Sequence, residues 1–243
     1  MKYKTAVEYK LLKQVISLGI FFVWWILFGI AFPIIGIWFS GSETGLSADV
    51  LFPIIFFSII ISFIGGGADF KFFIQNGLSR LDIFLVNLST ISLTSFITSI
   101  LVFSLSKISF SSLDLSTMIT SKGFYYNDNP LLNILLLFMV IFFFSSFGLL
   151  VGTFNDMFTG LKKIIIILLA MALPIIIATL IQLGGDSAKI HFANFLKYIL
   201  GYSNNQSTLS SVPFMLTLFF FSALCFSILF VLNHYHEVRH KSA

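Results

Sequence analysis

The residues that could carry chemistry are few and poorly placed for it. His234, His236 and His240 stand near the end of the sequence with Glu237 and Arg239 among them. Such a set can touch a metal ion. Nothing in the flanking residues supplies a shell to orient the ligands, however, and an ordinary polar tail explains the set better. His191 stands alone. The single cysteine, Cys225, lies inside an apolar run, which leaves no intrachain disulfide and no cysteine zinc site. No Gly-x-x-x-x-Gly-Lys-Ser/Thr run is present to cradle nucleotide phosphates. No catalytic residue and no metal or cofactor site is assigned to the chain.

The elements that would position any chemistry are membrane helices. Hydrophobic residues make up 58% of the chain and charged residues 10%, with a mean hydropathy of +1.01. A soluble domain carries about 25% charged residues. An all-α, polytopic membrane protein is therefore expected, as one transmembrane domain over 1–243. Six apolar runs, at 15–39, 50–67, 83–105, 131–154, 164–183 and 212–233, approach the roughly 20 residues a spanning helix needs. The first is longer than a signal-peptide core of about 7–15 residues, so it is expected to stay as a helix. The second is the shortest, and its helix either ends near Gly67 or continues into the segment that follows. Asn129-Pro130 reads as a cap and N1 proline, and Ser210-Ser211 precedes Pro213. The net charge of +4 does not imply nucleic acid; the charges are placed for topology.

With both termini on one side, that side holds ten Lys and Arg residues and the other holds Lys107, Lys122, Lys189 and Lys197. The positive-inside rule makes the termini cytoplasmic. Residues 1–14 carry Lys2, Lys4, Lys10 and Lys13, and Tyr3, Val7, Leu11 and Val15 follow one stripe. The segment reads as an amphipathic interfacial helix or as an unfolded basic tail. Pro33, Pro53 and Pro174 fall inside spans, where each frees a carbonyl and favours a kink. Kinks suit a moving wall and also occur in static helices.

No Asp, Glu, Arg or Lys lies near the centre of any span, which counts against a proton-coupled transporter. The third span carries Asn87, Ser89, Thr90, Ser92, Thr94, Ser95, Thr98 and Ser99, expected to hydrogen-bond between helices. Gly148-Leu-Leu-Val-Gly152 is a small-xxx-small pair, a pattern that also arises by chance.

Two polar-flanked segments are patterned beyond what a plain connection needs. In Gly65–Asp82, Phe70, Phe73 and Ile74 share one helical face, Asn76-Gly77 is a helix stop, and Ser79 to Asp82 reads as a capping box. The implied form is a short transverse helix and a sharp corner, with a Phe pair exposed beside Lys71 and Arg80. It either docks another protein or lies in the headgroups with its Phe face in acyl chains. In the outer segment 184–211, Asp186 and Ser187 are N-cap candidates and Gly201 a C′ residue. Phe192, Leu196, Ile199 and Leu200 share a face over 188–200, too short to span. The other outer loop, from Lys107 to Pro130, shows no clear pattern.

Six spans, an amphipathic basic N-terminus, a patterned helix between spans two and three and a helical outer segment between spans five and six resemble the permease subunits of type-2 ATP-binding-cassette exporters. Asp69-Phe-Lys-Phe-Phe-Ile-Gln-Asn-Gly-Leu-Ser-Arg looks like the coupling segment of small permeases from low-GC Gram-positive bacteria. The resemblance covers the whole chain in topology but only about a dozen residues in sequence. It implies a coupling segment at 68–82 that meets a separate ATPase subunit through Asp69, Phe70, Phe73, Ile74, Asn76, Gly77 and Arg80. Phe73 is expected to enter the partner's groove, with Lys71 off the contact face. It also implies re-entrant outer helices, a second permease chain (identical or paralogous), and ATP with Mg²⁺ bound by the partner. The setting would be a bacterial plasma membrane. The cargo would be amphipathic (peptide, lipid or drug), with peptide favoured. A membrane immunity protein that sequesters a peptide, and a channel or secondary transporter, are the competing readings. Cysteines placed at Ser42 and Asn204 are expected to react with an impermeant thiol reagent on intact cells, and one at Asn76 to stay unlabelled. Labelling of Asn76 from outside would reverse the orientation.

Overall fold

Long apolar runs with no water to satisfy their backbone must close every hydrogen bond within themselves, and in this chain they do so as helices. The computed structural model describes residues 2–40, 46–110, 113–117, 119–120, 124–125, 128–202 and 209–235. Its helices are α1 (Lys2–Trp25), α2 (Phe32–Ser40), α3 (Leu51–Gln75), α4 (Arg80–Leu105), α5 (Pro130–Met157), α6 (Gly160–Leu183), α7 (Gly185–Ile199) and α8 (Ser211–Tyr235), with a π-helical turn, Ile26–Ala31, joining α1 to α2. Among the described residues, six helical stretches are long and apolar enough to cross a membrane, the first being Lys2–Phe39. The protein is a multi-pass membrane protein.

Two boundaries are settled by continuous helices. Residues 2–14 do not form a separate interfacial helix or a tail; α1 runs unbroken from Lys2 into the span. Of the two readings of the second span, continuation holds: the segment after Gly67 is the last turns of α3, which passes straight through Gly65, Gly66 and Gly67, and not a separate transverse helix. Packing overrides the low helix propensity of the three glycines there, because side chains would block the neighbouring helix.

Helix α5 is the centre of the bundle, packing against α3, α4 and α8. Apolar contacts among Ile54, Val102, Leu137, Val140, Ile141 and Leu218 fill one layer, and Ile91, Phe142, Leu149, Phe226 and Leu229 fill a second. The tightest seam is α3 on α5. A Cβ at Gly148 would sit 2.9 Å from Ile59 Cα, and one at Gly152 the same distance from Phe63 Cα. From the other side, a Cβ at Gly66 would lie 2.8 Å from the Gly152 carbonyl carbon. Only glycine permits this backbone-on-backbone approach, so the small-xxx-small pair is a packing seam.

The prolines have separate fates. Pro33 follows the π turn, in which Phe32 N–H reaches back to the Leu27 carbonyl. The wider turn accommodates the donor that Pro33 lacks. Pro53 does not kink α3. It sits in the first turn, where amides have no intrahelical partner to lose, and the Asp49 carboxylate caps that turn by accepting from Leu51 and Phe52 N–H at 2.7 and 2.9 Å. Pro174 lies inside α6, which is helical throughout. Asn129 caps α5 through Leu131 N–H at 3.0 Å, with Pro130 next to it as expected.

The fold is not purely helical. The loops after α2 and α4 build a small sheet in the order β1-β3-β2. Strand β1 (Leu46–Asp49) runs parallel to β3 (Leu113–Ser116), and β2 (Ser109–Phe110) runs antiparallel to β3. Strand pairing across loops about 65 residues apart leaves no local period to read. The sheet lies at the end of the bundle opposite the Lys2–Gly77 corner. Nearby, Tyr125 donates to the Leu200 carbonyl at 2.9 Å and stacks on Phe214. Burial, with Tyr202 adding, pushes its phenol up to about 12, so it stays a neutral donor at neutral pH.

Gly152→Ala should lower the melting temperature of the purified protein, at a cost of about 1–3 kcal/mol for overpacking. Gly19→Ala, where an added methyl meets nothing within 4 Å, should be neutral or stabilise by up to about 1 kcal/mol. Equal effects would contradict the seam.

Candidate functional site

The site begins where α3 leaves the apolar layer. Gly77, with φ of +74°, ends α3, and Leu78 N–H closes on the Phe73 carbonyl at 3.1 Å. Ser79 then opens α4 through the full capping box. The Ser79 hydroxyl accepts from Asp82 N–H at 3.1 Å, and the Asp82 carboxylate accepts from Ser79 N–H at 3.3 Å. The corner read from the sequence is therefore a rigid, locally satisfied turn.

What the corner presents differs from the expectation. Phe70 and Phe73 are not an exposed contact; they are 1% and 2% accessible. They pack with Ala6, Leu78, Ile83 and Val86, and Ile74 lies against the same cluster. The apolar face is present, but α1 and the start of α4 cover it. Asp69 is also buried, held by Lys10 Nζ and Lys13 Nζ, each at 3.0 Å. The ammonium of Lys10 also donates to the Asn87 amide oxygen. Lys10 is 2% accessible, and its carboxylate partner and Asn87 are what make that burial tolerable. Lys71 pairs with Asp156 at the end of α5 at 2.7 Å. Arg80 donates to the His234 carbonyl at the end of α8.

Three ties therefore converge on this corner, from α1, α5 and α8. Of the expected contact residues, Asn76, Gly77 and Arg80 are exposed, while Asp69, Phe70 and Phe73 are not. The exposed aromatic is Phe72, stacked on Tyr9 of α1 at 5.2 Å between ring centroids. Together with Lys2, Thr5, Asn76 and Leu78 these rings line an open groove of about 460 Å³ between α1 and the end of α3. Sequence reasoning missed Tyr9, Lys10 and Asp156. Lys10 and Gln14 stand one turn apart in the buried stripe Ala6, Lys10, Gln14 and Leu18, a spacing visible in the sequence but masked by the expectation that lysines face water.

At the other end, α7 follows α6 directly. Gly184 takes the N-cap place expected of Asp186 or Ser187, and Gly185 turns the chain with φ of +71°. Asp186 instead pairs with Lys189 at 3.0 Å. Gly201 is the positive-φ residue past the helix end, as expected. Phe192, Leu196 and Leu200 remain exposed, and Ile199 lines an apolar groove with Phe195 and Phe220. Among the described residues no three His, Cys, Asp or Glu side chains come together; His236, Glu237 and His240 lie outside them. The chain matches no protein-family model, no curated protein and no solved structure.

Asp69→Asn should destabilise the protein by about 3–5 kcal/mol, because it strips charge compensation from buried Lys10. Lys71→Gln, at a pair that is 35% and 23% accessible, should cost less than Asp69→Asn. Thermal unfolding of the purified variants in one detergent measures both.

Proposed function

We propose that the chain is the membrane-spanning permease subunit of an ATP-driven exporter, working with a separate ATP-binding-cassette subunit that binds ATP and Mg²⁺. The observation that carries this reading is the braced corner with its aromatic groove. A helix from Lys2 to Phe39 has 38 residues and rises about 57 Å, nearly twice the roughly 30 Å hydrocarbon core. In this reading its N-terminal turns and the end of α3 stand beyond the apolar layer, where Tyr9 and Phe72 would meet the partner. Force applied at the corner would pass to α1, α5 and α8 through the Asp69, Asp156 and His234 ties. That is the form of a lever, suited to a rigid-body switch driven by ATPase closure.

A second permease chain, identical or paralogous, belongs to this reading. None of the residues of α6 is buried, and the outer part of the Lys2–Phe39 run is similarly uncovered, so two spans offer a wall to a neighbour. The cytoplasmic side is assigned to the Lys- and Arg-rich corner, in a bacterial plasma membrane. An amphipathic substrate, with peptide favoured, suits spans without central charge.

Tyr9→Ala with Phe72→Ala should weaken co-purification of a Walker-motif ATPase by roughly 30-fold or more, as loss of about 2 kcal/mol or more at an aromatic contact predicts. Membrane levels should hold, and Lys162→Ala should behave as wild type. Phe73→Ala is unsuited to this test, because emptying a core position costs about 3–5 kcal/mol of stability. Undiminished ATPase binding and export by the double variant would remove the groove from the mechanism, and a chain that captures no ATPase would favour the sequestering protein.

A further inference from the structure

We propose that the bundle holds one resident water molecule between α1, α3, α4 and α5, bound by Gln14 and Ser95. The hydroxyls of α4 are mostly not interhelical, contrary to the sequence expectation. Thr90, Ser92, Thr94 and Thr98 each donate to the carbonyl four residues earlier, at 2.7 to 2.8 Å. Ser95 is different. Its Oγ is fully buried with no protein partner, and so is Oε1 of Gln14. Both atoms belong to side chains more than nine-tenths buried, and both line one small chamber with Ser58, Ser62, Thr94, Thr98 and Ser145.

The chamber volume is about 20 Å³. A water needs about 10–15 Å³ by the same measure and two to four polar partners, so one molecule fits. It donates to Gln14 Oε1, which can only accept, and accepts from the Ser95 hydroxyl, which has no other use for its proton. The hydroxyls of Thr94 and Thr98, already donating elsewhere, keep lone pairs for its second hydrogen. A metal cation is disfavoured on charge. No carboxylate lines the chamber, and the nearest charged cluster, one turn away along α1, sets Lys10 and Lys13 against Asp69 alone.

The consequence is a wet seam. On α1, the Gln14 amide oxygen is satisfied by this water, while Lys10 stays in its pair with Asp69 and Asn87. The α3–α5 seam, by contrast, is backbone on backbone. This inference does not depend on the exporter reading.

X-ray pulse radiolysis of the protein in nanodiscs, where bound water yields hydroxyl radicals that mark adjacent side chains, tests it. Ile141, which lines the chamber and is 1% accessible, should be labelled several-fold faster than the equally buried Ile91 and Leu149. Ser95→Ala, and Gln14→Leu with Ser95→Ala, should bring Ile141 down to their rate. Labelling of wild-type Ile141 no faster than Leu149, or unchanged by Ser95→Ala, would overturn the proposal even if the double variant fails to fold. So would labelling that appears only when sodium and potassium are replaced by choline, since an ion would then hold the chamber.

Discussion

The approach of α3 and α5 through Gly66, Gly148 and Gly152 is the constraint on which the rest depends. Inside a bilayer, apolar side chains gain little by leaving lipid for protein, so close packing has to supply the attraction. Glycines supply it by letting two backbones meet. Once α3 is fixed on α5, the continuation of α3 past Gly67 has a set direction, and Asp69, Phe72 and Phe73 have set positions. A side chain at any of these glycines would push the corner, with its ion pairs, away from α5.

Among the described residues, the buried and part-buried ion pairs stand at one level, just past that seam. Asp69 is buried between Lys10 and Lys13, and Lys71 meets Asp156. Burying Lys10 alone would be very costly, and a carboxylate on α3 with an amide on α4 makes it possible. The arrangement specifies geometry more than it adds stability. Helix α1 can sit on the bundle in few ways that keep both lysines and Gln14 satisfied. Gly65 leaves the room for it, since a Cβ there would sit 2.9 Å from the Asp69 carboxylate.

The uncovered surfaces follow from the same economy of contacts. The glycine seam and the charged cluster hold α1, α3, α4, α5 and α8 together, and α6 with α7 stands outside that set. Helix α7 adds an amphipathic strip with its own exposed apolar residues. Bilayer lipid can cover such faces, and so can another chain. What distinguishes the aromatic groove at Tyr9 and Phe72 is its place beside the charged cluster that ties α1 to α3.

The sequence by itself determined the class, the six apolar stretches and the local punctuation, because each of these is written within a few residues. The Ser79–Asp82 capping box, the Gly77 and Gly201 stops and the Asn129 cap all stand where the residue types put them. Tertiary structure decided which faces are covered. The periodic face Phe70, Phe73 and Ile74 was legible, but covering it took Ala6 and Val7 of α1, some 65 residues away, together with Leu78, Ile83 and Val86 beyond the corner. Separations of about 60 to 85 residues likewise hid the Lys10–Asp69 pair, the β1–β3 pairing and the Lys71–Asp156 tie. A side chain's local pattern records that it has an apolar or charged face. Only the fold brings up the surface that face will meet, since a partner distant in sequence leaves no trace in the local period.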